Sequence, residues 1–191
     1  MIEMADALRL IEERRNGALV VSTMTGTQGW NAVTSNEAMD LPMGGAMGKA
    51  SSLALGLCLA RPDRRVILID GDGSLLMNLG ALVTVAGSIP HNLYHVILDN
   101  EAYAVTGGQP TPGAGVVSFT GMARAAGYNA AFDFDNLEDL VTRIDEFLGH
   151  EGPVLASIKT VPLIDPTPLP QRGPWRRTPE AMQTLSDALG Q

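Results

Sequence analysis

The sequence predicts an α/β fold in which a doubly wound, mainly parallel sheet carries helices on both faces. Short apolar runs recur along the chain, at the length of buried strands. Segments of helical length separate these runs, an alternation that is typical of a parallel sheet. The composition, 45% hydrophobic and only 5% aromatic over 191 residues, is that of an ordinary α/β protein with one core. We therefore expect five or six strands in one sheet.

The first third of the chain begins with an amphipathic pattern that Asn16 and Gly17 end. A hydroxyl-rich turn and a polar, irregular stretch are expected before a helix of small residues. The predicted elements are a helix over 2–15, a strand over 18–22, a turn over 23–27, irregular chain over 30–40 and a helix from 43–48 to about residue 60.

The remaining elements surround a central strand–helix–strand unit. The predicted elements are strands 66–69 and 94–98 with one crossover helix between them, helix 119–126, strand 129–134, helix 136–148 capped by Asn136, strand 154–159 and a short helix over 179–189. Five prolines lie between residues 161 and 177. We therefore divide the chain into a domain over residues 1–160 and a proline-rich tail over residues 161–191.

Charge and composition exclude several classes of function. The formal net charge of −8 disfavours nucleic acids and anionic membranes as partners, because phosphate-rich surfaces attract lysine and arginine. No apolar run reaches the roughly 18–20 residues of a membrane span, and the charged residues 1–15 do not resemble a signal peptide. The single cysteine, Cys58, lies in an apolar helical run and is expected in the core. These features indicate the reducing cytoplasm.

Two oxygen-bearing side chains follow adjacent strands of the predicted sheet. Asp72 comes after strand 66–69 and Asn100 after strand 94–98, so both lie where an open α/β sheet binds its ligand. Gly71 and Gly73 permit a tight turn, and Ser74 is expected to cap the next helix and leave N–H groups for an anion. One divalent cation and one phosphate-bearing ligand would use all these groups. Asp-Gly pairs also form ordinary turns, so this segment alone does not define a site.

Three other segments each allow two interpretations. The hydroxyls of Thr25 and Thr27 suit phosphate oxygens, but they also suit the backbone of their own turn. The glycines within 44–48 indicate close approach of the backbone to a ligand or to a neighbouring element. The Gly/Pro-rich loop over 107–115 is placed either as a substrate lid or as a plain surface connection.

Gly71-Asp72-Gly73-Ser74 followed by Asp99-Asn100 resembles the signature of the diphosphate-binding domain of thiamine-diphosphate enzymes. The family has an Asn-Asn or similar pair where this chain has Asp99-Asn100, and the second residue is the metal ligand. The resemblance implies thiamine diphosphate and Mg²⁺ as cofactors. It implies that Asp72, Asn100 and the backbone carbonyl of Ala102 hold the metal.

Two more segments are similar to that family. Residues 24–27 resemble its Glu-Thr-Gly-Thr turn, which favours the phosphate interpretation of the two threonines. Residues 43–55 resemble the stretch whose large apolar residue separates the two cofactor rings; Met47 would be that residue, although methionines also fill gaps in cores. The cofactor contacts implied in this way are Thr25, Thr27, Gly45, Met47, Gly73, Ser74, Ala102 and Val105.

Within the superfamily, the chain most resembles the phosphonopyruvate and sulfopyruvate decarboxylases. The similarity lies in residues 47–52 and in Gly107-Gly108-Gln109-Pro110-Thr111. The phosphonopyruvate enzymes carry a histidine where this chain has Lys49, and a His-Asp pair where it has Tyr103-Ala104, which speaks against phosphonopyruvate as the substrate. A short anionic 2-oxo acid, similar to sulfopyruvate, is the implied substrate. Its expected contacts are Lys49, Thr106 and Gln109.

The glutamate that activates the cofactor belongs, in this superfamily, to a pyrimidine-binding domain that we do not find in the sequence. The chain resembles the β subunit of the sulfopyruvate decarboxylases that divide the two domains between two subunits. It is therefore expected to need a separate pyrimidine-binding α subunit, to be inactive alone and to self-associate as well. Alternatives are an acetolactate-synthase-like carboligase, an oxidative 2-oxo acid decarboxylase or a non-catalytic cofactor-binding module. A receiver or nucleotide-binding domain would leave Asn100 and Met47 unexplained.

Overall fold

A computed structural model describes residues 1–45, 47–164 and 177–190. Six parallel strands form one sheet in the order β2-β1-β3-β4-β8-β7, and β5 and β6 form a separate antiparallel ribbon. The strands are β1 (Leu19–Thr23), β2 (Asp40–Met43), β3 (Val66–Gly71), β4 (Leu93–Asp99), β5 (Ala102–Tyr103), β6 (Gln109–Pro110), β7 (Ala130–Phe134) and β8 (Val154–Lys159).

Helices cover both faces of the sheet and bury a separate apolar core on each face. One core receives side chains from α1, α2 and α7, and the other from α3, α4, α5, α6 and α8. The helices are α1 (Met4–Glu13), α2 (Met24–Val33), α3 (Ala50–Ala60), α4 (Asp72–Leu76), α5 (Ala81–Ser88), α6 (Phe119–Ala126), α7 (Leu137–Gly149) and α8 (Thr178–Ala188). The predicted doubly wound α/β fold is confirmed.

Local sequence explains the best-defined helices. Helix α1 presents an apolar stripe at three- and four-residue spacing, with Ala7, Leu8 and Ile11 fully buried. Helix α7 begins where the Asn136 side chain accepts a hydrogen bond from the backbone N–H of Asp139, at 2.9 Å. The predicted helices over 119–126 and 136–148, the cap at Asn136 and the last strand are confirmed.

The segment between β1 and α3 differs from the prediction. Residues 24–33 form the helix α2 instead of a hydroxyl-rich turn with irregular chain after it. The side chain of Trp30 stabilises this helix because it is completely buried in the core between α2 and the sheet. Residues 40–43 form the strand β2, which was predicted as the end of the irregular stretch. This strand contains Pro42 and lies at the edge of the sheet, where a missing N–H costs no ladder hydrogen bond.

Two predicted helices have different limits. Helix α3 begins at Ala50 and not at the glycines, since Gly45 and Gly48 have φ angles of 72° and 73°. The single crossover helix between β3 and β4 is two helices, α4 and α5, with a turn over residues 77–80 between them. Helix α4 begins at Asp72, directly after β3, so its first turn lies at the carboxyl end of that strand.

The last helix packs on the edge strand. The Thr178 hydroxyl donates to the Pro42 carbonyl at 3.0 Å and accepts from the Gly44 N–H at 3.2 Å. Ala181 and Leu185 are buried in the core on that face. The predicted short helix is thus confirmed, but the proline-rich residues 165–176 lie outside the described residues and the division at residue 160 stays a prediction. In the part of the chain that is described, no helix is long and apolar enough to cross a membrane.

Candidate cofactor site

A pocket opens at the carboxyl ends of β1, β3 and β4. The chain turns to opposite sides of β1 to form β2 and β3, so this is the topological switch point of the sheet. The residues that follow the three strands form the walls. The lining comprises Met24, Thr25, Met47, Gly71, Asp72, Gly73, Ser74, Leu98, Asn100, Ala102, Tyr103, Ala104, Val105 and Thr106.

Asp72 lies at the first position of α4 and is almost completely buried. Its Oδ2 atom accepts a hydrogen bond from the Thr111 hydroxyl at 3.0 Å. Burial raises the pKa of Asp72 to about 6, and the nearby Asp99 carboxylate adds to the increase. A carboxylate in this environment is poorly solvated, so a bound cation would stabilise it.

Asn100 follows β4, the strand next to β3, and lines the same pocket. Its Oδ1 atom accepts a hydrogen bond from the Ala102 N–H at 3.0 Å, which closes a local turn. The intervening Glu101 has φ of 60°, a left-handed conformation that few residues other than glycine adopt. An amide oxygen has two lone pairs, so this bond leaves Asn100 able to accept a second donor or a cation.

Ser74 holds the segment that carries Met47. Its hydroxyl accepts a hydrogen bond from the Gly48 N–H at 3.1 Å, while the Asn78 amide donates to the Gly48 carbonyl at 2.8 Å. The prediction that Ser74 caps the helix is wrong, because α4 already begins at Asp72 with Gly71 as its cap residue. Met47 is only half-buried and faces the pocket from this tethered segment.

The two predicted threonines both belong to α2 but occupy different positions. Thr25 lines the pocket at the start of the helix. Thr27 is buried, and its hydroxyl has no hydrogen-bond partner among the described residues. Because the first N–H groups of a helix lack partners within it, the beginnings of α2 and α4 both offer donors at this end of the sheet.

Five other predicted site residues divide between the lining and its surroundings. Thr106 and Val105 line the pocket. Lys49 and Gly45 are exposed on the segment around Met47, outside the lining, and Gln109 lies on the ribbon strand β6. No lysine or arginine of the described chain lines the pocket.

A cluster of charged side chains supports the end of β4. The Lys159 ammonium lies 2.8 Å from Asp99 Oδ2 and 2.5 Å from Glu101 Oε1. Burial raises the pKa of Asp99, although the lysine opposes that effect. The Glu101 carboxylate also accepts the Gly115 N–H at 2.9 Å. Lys159 therefore compensates the charge of Asp99, at the position where the related signature has asparagine.

Tyr103 and Thr111 are parts of the site that sequence analysis did not identify. A Cβ atom at Gly73 would lie 2.4 Å from the Tyr103 ring and 3.2 Å from the Thr111 methyl, so only glycine fits beneath them. The similarity of residues 107–111 to a decarboxylase loop drew attention to this segment. It did not indicate that Thr111 contacts Asp72.

The donors around the pocket fit a magnesium ion with a phosphorylated ligand. The described residues contain no group of three or more His, Cys, Asp or Glu side chains that could hold a metal. A cation here would therefore rely on one carboxylate, amide and carbonyl oxygens, and oxygens of the ligand or water. Mg²⁺ commonly binds through one or two carboxylates together with substrate phosphates.

A sequence model of the family described as "Thiamine pyrophosphate enzyme, C-terminal TPP binding domain" matches residues 21–158. The chain belongs to this family. The match spans the sheet from β1 to β8 and contains every residue that lines the pocket. The pocket at the switch point is therefore the candidate site for thiamine pyrophosphate in this TPP-binding domain.

The named relatives of this TPP-binding domain include decarboxylases and acetolactate synthases. The phosphonopyruvate decarboxylase of Streptomyces hygroscopicus is 40% identical over 154 residues, which are 81% of this chain and 38% of that protein. The β subunit of sulfopyruvate decarboxylase from Methanothermobacter thermautotrophicus is 45% identical over 118 residues, which are 62% of this chain and 60% of that subunit. The chain thus spans between about two fifths and three fifths of the length of these relatives.

The fold is also found in a solved structure. A Mycobacterium smegmatis protein assigned to the thiamin diphosphate-dependent enzymes superposes with a TM-score of 0.69 over 84% of this chain and 32% of that chain. Only 23% of the residues are identical, so this similarity supports the fold alone.

Proposed function

We propose that this chain is the diphosphate-binding subunit of a thiamine-diphosphate-dependent decarboxylase that acts on a short anionic 2-oxo acid, similar to sulfopyruvate. The observation that carries the proposal is the convergence of Asp72 and Asn100 on one pocket in a TPP-binding domain. Relatives named sulfopyruvate and phosphonopyruvate decarboxylase support the reaction and the class of substrate. When bound, thiamine diphosphate supplies the electron sink for loss of CO₂ from the 2-oxo acid.

The residues of the chain would anchor and shape the cofactor. Asp72, Asn100 and the Ala102 carbonyl would hold Mg²⁺, since all three belong to residues of the lining and offer the oxygen atoms that this ion prefers. The diphosphate, the two rings and the substrate would be contacted by the other predicted residues. These are Thr25, Thr27, Gly45, Met47, Gly73, Ser74 and Val105 for the cofactor, and Lys49, Thr106 and Gln109 for the substrate.

A separate pyrimidine-binding subunit would complete the site. No glutamate of the described chain lines the pocket, so the group expected to activate the cofactor would come from that partner. Three relatives are named as β subunits of sulfopyruvate decarboxylase, which supports a division between two chains. Self-association of this chain belongs to the same proposal, as does a proline-rich tail over residues 161–191 whose short helix packs back on the sheet.

Reconstitution tests this proposal. The chain, a pyrimidine-binding subunit and their mixture would be supplied with thiamine diphosphate, Mg²⁺ and either sulfopyruvate, phosphonopyruvate or pyruvate. We expect CO₂ release only from the mixture, with sulfopyruvate as the best substrate. Full activity of the chain alone would contradict the need for a partner. A product in which two substrate molecules are joined by a new carbon–carbon bond, in place of an aldehyde, would identify a carboligase.

Binding of Mg²⁺ is expected to depend on pH through Asp72. Because the pKa of this carboxyl is raised to about 6, protonation competes with the metal below that pH. The Mg²⁺ concentration that half-saturates cofactor binding should rise about tenfold for each pH unit below 6 and change little above pH 7. Calorimetric titrations between pH 5 and pH 8 measure this dependence. A flat profile across that range would contradict Asp72 as the metal ligand.

A further inference from the structure

Thr111 makes the one hydrogen bond that joins the Gly/Pro-rich segment to the Asp72 side chain among the described contacts. Its side chain is 5% exposed although it follows directly after the short ribbon strand β6. The hydroxyl donates to Asp72 Oδ2, since an ionised carboxylate only accepts. A polar side chain from a loop is therefore buried against the acidic group of the pocket.

Both branches of the Thr111 side chain pack against α4. The Cγ2 methyl lies close to Gly73, where an added Cβ atom would be 3.2 Å away, while the hydroxyl is bonded to Asp72. Rotation about χ1 would move the hydroxyl away from Asp72 and the methyl away from Gly73, so only one rotamer keeps both contacts. This packing holds the hydroxyl in one direction, toward Oδ2.

The backbone of Thr111 is connected to the other wall of the pocket. Its N–H donates to the Glu101 carbonyl at 3.0 Å, and β6 pairs with β5, which carries Ala102 and Tyr103 of the lining. Glu101 is in turn bonded to Lys159 and to the Gly115 N–H. Thr111 thus links the wall after β3 to the wall after β4.

We propose that Thr111 is a positioning residue that orients the Asp72 carboxylate for the metal and couples metal binding to the order of the ribbon over residues 102–111. This inference rests on the proposed function, in which Asp72 binds Mg²⁺. A hydrogen bond to a ligating carboxylate fixes the direction of its lone pairs, and loss of such a bond typically weakens metal binding by 10- to 100-fold. Metal binding at Asp72 would then increase the order of residues 102–111 through the hydrogen bond from the Thr111 hydroxyl.

The test compares Thr111→Val with Thr111→Ser in the full chain. Valine keeps the shape but removes the hydroxyl, whereas serine keeps the hydroxyl. Thr111→Ala provides a second variant without the hydroxyl if the valine variant does not fold. Thr142→Val is a matched control, because that hydroxyl bonds only within the exposed face of α7. Calorimetry would measure thiamine diphosphate binding across a series of Mg²⁺ concentrations, and hydrogen exchange would follow the amides of residues 102–115.

We expect a 10- to 100-fold higher half-saturating Mg²⁺ concentration for Thr111→Val, and values within about twofold of the wild type for Thr111→Ser and Thr142→Val. Mg²⁺ with the cofactor should slow exchange of the ribbon amides in the wild type and in Thr111→Ser but not in Thr111→Val. Unchanged Mg²⁺ dependence in Thr111→Val, or an equal loss in Thr111→Ser, would overturn this inference alone. A wild-type chain that binds without any Mg²⁺ dependence would overturn the proposed function and this inference with it.

Discussion

Asp72→Asn is expected to abolish Mg²⁺-dependent binding of thiamine diphosphate and, at the same time, to stabilise the chain in the absence of metal. The loss of binding follows because the amide lacks the charge that neutralises the cation, and we expect at least a 100-fold weaker affinity. The gain in stability follows from the raised pKa of Asp72, about 6, which shows that the folded metal-free chain disfavours the carboxylate. Removal of that charge should add on the order of 2–3 kcal/mol above pH 6.

The sign of this stability effect depends on pH. A carboxyl whose pKa is higher in the folded state destabilises the fold where it is ionised, above about pH 6, and not where both states are protonated, below about pH 4. Wild type and Asp72→Asn should therefore unfold at similar denaturant concentrations near pH 4 and diverge as the pH rises.

Calorimetry and urea unfolding with and without Mg²⁺ measure the two effects of Asp72→Asn separately. Asp133→Asn is the matched control: Asp133 lies in the edge strand β7, accepts a hydrogen bond from the Thr120 hydroxyl and does not line the pocket. Retention of Mg²⁺-dependent binding in Asp72→Asn would exclude this carboxylate as the metal ligand. A destabilised Asp72→Asn chain without metal would contradict the assignment of the raised pKa to burial.

Lys159→Met is expected to destabilise the fold by about 3 kcal/mol near pH 7. The substitution leaves Asp99, only 4% exposed, as a buried carboxylate without its cation, and a charge left unpaired in this way typically costs 3–5 kcal/mol. The lower end applies because Lys159 itself is 32% exposed. The effect should diminish as the pH falls, since burial raises the pKa of Asp99 and protonation removes the charge.

The double variant Asp99→Asn/Lys159→Met tests the cause of that loss. It removes both charges and restores the amide of the related signature, so most of the stability should return. Asp99→Asn alone should cost less than Lys159→Met alone, because the partly exposed lysine retains Glu101 and water. Urea unfolding of the four proteins completes the cycle. Additive losses in the double variant would show that the two residues do not act as a pair.

The sequence predicted the sheet well because its strands are continuous apolar runs. Residues 66–69 and 94–98 were placed as neighbouring parallel strands, and the structure pairs Val66–Gly71 with Leu93–Asp99. Because Asp72 and Asn100 follow these two paired strands, they were expected close together, and both line the same pocket. Strand adjacency and side-chain position at a strand end are local properties, so periodicity and length are sufficient to identify them.

The errors occurred where tertiary contacts decide the local structure. Helix α2 contains two glycines and two threonines, a composition of low helix propensity, and forms because the buried Trp30 packs it against the sheet. Pro42 lies in β2 and is tolerated there because this strand is at the edge of the sheet. The bond from Thr111 to Asp72 joins residues 39 apart in sequence, and no local pattern predicts it.

The bonds from Thr178 to Pro42 and Gly44 extend the influence of α8 to the cofactor end of the molecule. The strand end they fasten leads, within a few residues, into the stretch that presents Met47. An affinity tag or fusion partner joined after Gln191 would therefore be attached to a helix whose first turn is hydrogen-bonded to the segment that leads to Met47.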